Sequence, residues 1–166
     1  MKEYINFLKD LDRRLQDYFE EHSEFIYCKK GCSLCCEKGD YPISEIELKY
    51  LFRGLVELDK TLKIKVKENI ANIKKGEKCP FLIDSLCSIY SYRPIICRVH
   101  GLSYICKNNI VKVPFCANNN LNYSKVYQKG EFFTEPILEN LNTESLLKDF
   151  DFGEIRNLYD WIKTNN

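Results

Sequence analysis

Four cysteines fall within nine positions of the stretch YCKKGCSLCCEKG: Cys28, Cys32, Cys35 and Cys36. The C-x3-C-x2-C-C spacing lets thiolates converge on one centre while ordering little chain, and Gly31 frees the backbone to curl back. Five more thiols follow at Cys79, Cys87, Cys97, Cys106 and Cys116. Sulfur-only donors suit zinc and iron–sulfur clusters; magnesium and calcium take oxygen. Cuprous ion is chemically compatible, but a single methionine offers no thioether path for copper transfer. The side chains of adjacent Cys35 and Cys36 are expected to diverge. They would then serve different metals, or one would stand behind the ligands of the other.

A disulfide framework fits the chain less well. Its nine cysteines are odd in number, and the opening MKEYINFLKDLDRRLQDYFEE is charged throughout, unlike a signal peptide or a membrane span. The expected setting is the cytoplasm, where thiols stay reduced. The length of 166 residues fits one domain, residues 1–166, with an ordinary 45% hydrophobic and 30% charged composition. With 25 basic against 24 acidic residues, no electrostatic footprint for nucleic acid or a membrane surface is visible. Lys60, Lys63, Lys65 and Lys67 alternate with Leu62, Ile64 and Val66, which reads as a solvated helix face rather than a phosphate site. No nucleophile–base pair, paired catalytic carboxylates or Gly-rich nucleotide loop stands out. Any enzymatic chemistry would have to come from the metal.

The elements that must position these thiols are mainly helical. Tyr4, Leu8, Leu11, Leu15 and Tyr18 form one stripe of a long first helix, which leaves His22 on its polar, solvated side. SEIE at Ser44–Glu47 is a capping box that starts a second helix, with Ile46, Tyr50, Leu51, Leu55 and Leu58 on its apolar face. A third helix is predicted over about residues 59–75, with Gly76 as its stop. From 77 to 116 the segments are short and irregular, as if organised by something other than a core. Within them LSYICKNNIVKVPF predicts a hairpin turning on Asn108–Asn109. A two-residue turn would pair Cys106 with Val111 and Tyr104 with Val113, making Cys106 a buried small hydrophobe apart from the ligands. ANNNLNYSK reads as a loop. TEPILENLNTESLLKDF and GEIRNLYDWIK are expected to form two closing helices.

Setting Cys106 aside leaves eight cysteines, and their surroundings carry a resemblance. CKKGCSLCC followed by CPFLIDSLCSIYSYRPIICR resembles the YkgJ-type cysteine-cluster family, whose hallmark is a CxxCxxCC run and whose domain is described as zinc- or iron-chelating. The matching positions are Cys28, Cys32, Cys35 and Cys36, then Cys79–Leu82. Cys87, Ile89, Tyr90, Arg93, Pro94, Cys97 and Arg98 follow, and Cys116 is the later lone cysteine. The resemblance spans about residues 25–116. It implies Cys28, Cys32, Cys35, Cys36, Cys79, Cys87, Cys97 and Cys116 as metal ligands. The first gap departs from the family pattern, with three residues instead of two.

Around the thiols, Arg93 and Arg98 could offset the negative charge of a thiolate centre, or Arg93 could pair a carboxylate beside Pro94. His100 stands close enough to ligate, but one imidazole beside eight thiols is expected behind them. Tyr90 could donate its hydroxyl to a bound sulfur or pack in the core. C-x3-C-x2-C is also the spacing of radical SAM enzymes, but their repeated βα barrel does not fit this pattern. Flagellin lysine N-methylases carry a similar run in a longer chain, and nothing here resembles their separate methyl-donor site. The expected function is an iron–sulfur cluster, with or without an accessory zinc, serving redox or electron transfer. The alternative is a zinc-stabilised module for binding a protein partner or for metal sequestration.

Overall fold

The structure is a computed structural model and describes residues 1–127 and 136–164. Its helices are α1 (Lys2–Glu21), α2 (Leu34–Glu37), α3 (Glu45–Glu57), α4 (Lys60–Asn72), α5 (Ile95–Val99), α6 (Thr143–Leu146) and α7 (Leu158–Thr164). Short strands lie between them: β1 (Pro42–Ser44), β2 (Leu82–Ile83), β3 (Leu86–Cys87), β4 (Tyr104–Ile105), β5 (Val111–Lys112) and β6 (Ile155–Asn157). The protein is mainly α, as expected, with an irregular cysteine-rich middle. Two compact units form, Met1–Lys29 with Arg98–Phe150, and Lys30–Cys97 with Asp151–Asn166.

In the first unit the stripe of α1 is buried at Tyr4, Leu8, Leu11 and Leu15. His22 continues that stripe seven residues after Leu15, so it is buried instead of solvated, and its Nδ1 shares a 3.2 Å hydrogen bond with the Tyr123 hydroxyl. The hairpin forms with a shifted register. Tyr104 pairs with Lys112 and Ile105 with Val111. The turn does fall on the asparagines, both at positive φ (63° and 56°), but Cys106 N–H donates to Ile110 O and so leaves three residues in the loop. That extra residue moves every partner by one position, and Cys106 is half-buried beside Lys112 rather than sealed in an apolar face. Residues 134 and 135 of the first expected closing helix lie outside the described residues, and over the rest the helix shrinks to α6. Before it, Ile137 is extended and bridges Tyr104 in parallel, exchanging backbone bonds with Ser103 and Ile105.

The second unit holds a hydrophobic core of Ile43, Leu48, Leu51, Val66, Phe81, Ile89, Leu158, Trp161 and Ile162. Phe81 and Ile89 come from the cysteine-rich middle, so that segment is organised partly by a core after all, and Cys79 and Cys87 pack against it. The buried face of α3 is Glu47, Leu48, Leu51 and Gly54, with Ile46 and Tyr50 only half-buried. Asp59 caps α4 through the Leu62 N–H, and the helix ends at Asn72, before Gly76. The expected second closing helix is split, because β6 pairs antiparallel with β1 before α7 begins.

The capping box at Ser44 is present, and it does more than start a helix. Glu47 is 1% exposed; its Oε2 accepts from Ser44 N–H and Oγ, and its Oε1 accepts from Ile95 N–H at 2.7 Å. One carboxylate thus ties the start of α3 to the start of α5, the helix that carries Cys97. Glu47→Ala is expected to lower stability by about 3 kcal/mol, because buried donors lose their acceptor at about 1–3 kcal/mol each. Glu47→Gln keeps one acceptor oxygen and should lose less. Urea unfolding of the two variants checks the order.

Candidate metal centre

The first cysteine run is shaped by two glycines. Gly31, at φ +89° with no neighbour within 4 Å, turns the chain after Lys30. Ser33 and Glu37 then bracket α2, joined by a 2.7 Å side-chain bond, and α2 carries Cys35 and Cys36. Gly39 is different. A Cβ there would sit 2.2 Å from the backbone nitrogen of Cys79. Because Gly39 has none, the two cysteine-bearing segments touch, and Cys79 N–H donates to Cys36 O at 2.7 Å.

Downstream, β2 and β3 form a hairpin turning on Asp84 and Ser85, both at positive φ (49° and 61°). The sequence reading missed this hairpin, although Asp-Ser between two short apolar pairs is a turn signal. It aims backbone N–H groups at sulfur: those of Phe81 and Leu82 at Cys79, and that of Ile89 at Cys87. Such donors favour the thiolate, which is the form that ligates metal. Pro94 ends the preceding turn, and Cys97 N–H donates to its carbonyl at 3.1 Å.

Cys35, Cys36, Cys79, Cys87 and Cys97 are consequently electrostatic neighbours. Burial pushes Cys79 up to about 12 and raises Cys87 and Cys97, with the other thiols adding repulsion. Cys35 and Cys36 do not diverge as expected. Their thiols hydrogen-bond to one another, and that bond lowers the pKa of Cys35 and raises that of Cys36. Among the described residues, no three His, Cys, Asp or Glu side chains stand at ligating geometry around one point. The thiols are gathered but not closed on a centre. As donors they fit a soft or borderline cation, since buried thiolates this close cannot all ionise without a positive charge among them.

The remaining sequence candidates fall in both units. Arg93 is the cation of this group: its charge favours the thiolates of Cys35, Cys87 and Cys97 while its Nε donates to Tyr90 O at 2.9 Å. Tyr90 is 60% exposed with the Arg93 guanidinium 3.5 Å over its ring, so it does not pack in the core. Cys32 is exposed. Arg98, in the first unit, is buried and pairs with Asp12. His100 packs on Phe115, and burial lowers its pKa. Cys28 accepts from Asn122 Nδ2 at 3.0 Å, and Cys116 is buried.

Tyr41 was not anticipated. Its hydroxyl donates to Cys35 O at 2.8 Å, and burial together with the thiols Cys35, Cys97, Cys36 and Cys79 raises its pKa. Nothing in its local sequence signals this role, because the contact is made by the fold.

Comparison with known proteins agrees with this donor chemistry. Residues 27–128 match the CxxCxxCC family, described as "Putative zinc- or iron-chelating domain". The chain belongs to that family. No curated protein and no solved structure matches it. Among the described residues, no helix is long and apolar enough to cross a membrane.

Two outcomes are expected. Gly39→Ala should reduce metal content and stability together, because the added Cβ must push the Cys79 backbone away. Gly31→Ala, with open space around it, should cost only roughly 1–2 kcal/mol of backbone strain and leave metal content intact. Metal analysis beside urea unfolding separates the two. Because Cys79, Cys87 and Cys97 have raised pKa values, they keep their protons through neutral pH, and a metal held by them would have to displace those protons. Apparent affinity should therefore fall as pH falls, with protons released on binding in a weakly buffered titration.

Proposed function

We propose that this metal-binding chain holds an iron–sulfur cluster, with or without an accessory zinc, and serves redox or electron transfer. The observation that carries the reading is the group of Cys35, Cys36, Cys79, Cys87 and Cys97, whose principal charged neighbours are one another and Arg93. The proposed ligands are Cys28, Cys32, Cys35, Cys36, Cys79, Cys87, Cys97 and Cys116. An iron–sulfur cluster would supply one-electron transfer, with its potential set by hydrogen bonds to sulfur and by net charge. In that role the chain's own contribution is the backbone N–H groups of Phe81, Leu82 and Ile89 and the guanidinium of Arg93. Arg98 and His100 are proposed as outer residues of the family motif. The proposed setting is the cytoplasm, because thiolate ligands must stay reduced to hold a metal.

A second reading has its own support. The β2–β3 hairpin, with N–H groups aimed at Cys79 and Cys87, also suits a permanently held zinc that stabilises a non-catalytic module for partner binding or metal storage. Anaerobic purification, iron, zinc and sulfide analysis and a visible spectrum distinguish the two. A brown protein with iron and acid-labile sulfide is the expected result. A colourless protein carrying zinc alone would establish the second reading. Arg93→Gln should shift the reduction potential of a bound cluster downward, since removing a nearby positive charge disfavours the more negative reduced state.

A further inference from the structure

The asparagine-rich stretch after Cys116 is more ordered than a surface loop. Asn120 turns at φ 57°, Leu121 N–H donates to Cys116 O at 3.2 Å, and Tyr123 N–H donates to Phe25 O at 2.7 Å. These bonds drive Asn122 inward until it is 1% exposed. Its Oδ1 accepts from Tyr27 N–H at 2.8 Å, and its Nδ2 donates to Gly101 O at 2.9 Å and to Cys28 Sγ at 3.0 Å. A backbone N–H can only donate and a backbone carbonyl can only accept, so the carboxamide has one orientation. One Nδ2 hydrogen goes to Gly101 O. The other is left for Cys28, whose sulfur must therefore receive.

Gly101 is part of the same device. At φ +102° a side chain would be strained, and a Cβ would lie 2.8 Å from Asn122 Nδ2 and 3.0 Å from Cys28 Sγ. Glycine is what lets the carboxamide and the sulfur meet over the Gly101 backbone.

We infer that Asn122 is a positioning residue for Cys28, holding its sulfur as a hydrogen-bond acceptor, the role in which sulfur ligates a metal. This rests on the metal-binding reading with Cys28 among the ligands. A carboxamide donor behind a thiolate ligand fixes its direction and draws electron density from sulfur, and residues in such positions typically change metal affinity by about 10–100-fold.

The test is a double-mutant cycle on the reduced full-length chain. Zinc affinity is measured by chelator competition for wild type, Asn122→Ala, Cys28→Ala and the double variant. Cobalt(II) in place of zinc reports the thiolate-to-metal charge-transfer band. Asn122→Ala is expected to weaken zinc binding about 10-fold or more and move the cobalt band to lower energy. Both effects should vanish in the Cys28→Ala background. Equal losses in both backgrounds, or a Cys28→Ala variant that binds zinc as wild type does, would overturn the inference. If Asn122→Ala does not fold, Asn122→Asp replaces it, because it keeps the acceptor for Tyr27 N–H and removes the donor.

The side-chain amide protons of Asn122, followed by NMR without added metal, separate this inference from the metal reading. Cys28→Ala should shift one of the two protons, and an unmoved pair overturns the hydrogen bond even in a protein that takes metal. Conversely, a wild-type chain that takes neither ion but shows the shift loses the metal reading and keeps the contact.

Discussion

The bond from Cys79 N–H to Cys36 O is the constraint on which the candidate centre depends. Two segments separated by more than forty residues of chain are held there backbone to backbone, at 2.7 Å. Only the missing Cβ of Gly39 allows that approach. Once it is made, α2 and the β2–β3 hairpin share one location, and the cysteines of both become neighbours. The Glu47 carboxylate adds the third piece by fixing the start of α5, and with it Cys97. Polar groups away from water accept few alternative partners, so these bonds specify position more sharply than apolar contacts would.

Bringing the thiols together creates an electrostatic problem that the surroundings only partly solve. Burial raises the pKa of Cys79, Cys87 and Cys97, and each charge added makes the next less favourable. Backbone N–H groups and Arg93 act in the opposite direction, favouring thiolate. The thiols of Cys35 and Cys36 share a hydrogen bond that favours the thiolate of Cys35. Tyr41 covers the group without adding a charge, its hydroxyl donating to Cys35 O. These features suit a cation bound through sulfur, in agreement with the zinc- or iron-chelating description of the family.

The first unit treats Cys28 differently. Cys28 is ordered through a fully engaged carboxamide, with Gly101 and Tyr27 on its other two bonds. Tyr123 stitches the same segment to the residues just after α1 twice, through its backbone to Phe25 and through its hydroxyl to His22. The stretch from Ala117 to Tyr123 is thereby tied to the residues that precede Cys28. Its asparagines are suited to this, because they tolerate positive φ and offer both donor and acceptor.

Local patterns in the sequence determined a good part of this protein. The stripe of α1, the capping box of Ser44 and Glu47, the mainly helical class and the cysteine motif of the family are all written in neighbouring residues. So is the turn at Asn108–Asn109, because a positive φ favours asparagine. The hairpin register escaped, since one additional loop residue shifts every pair and leaves little trace in composition. His22 escaped because its polarity outweighed its place seven residues after Leu15 on the buried stripe. What the tertiary structure alone decided is which distant groups meet: Gly39 with Cys79, Glu47 with Ile95, Tyr41 with Cys35, and Asn122 with Cys28. All but the Tyr41–Cys35 bond join segments far apart in the chain, and each is made by backbone groups or by polar side chains that would serve equally well in solvent. A sequence records the donors and acceptors, but only the fold removes water and leaves each of them one partner.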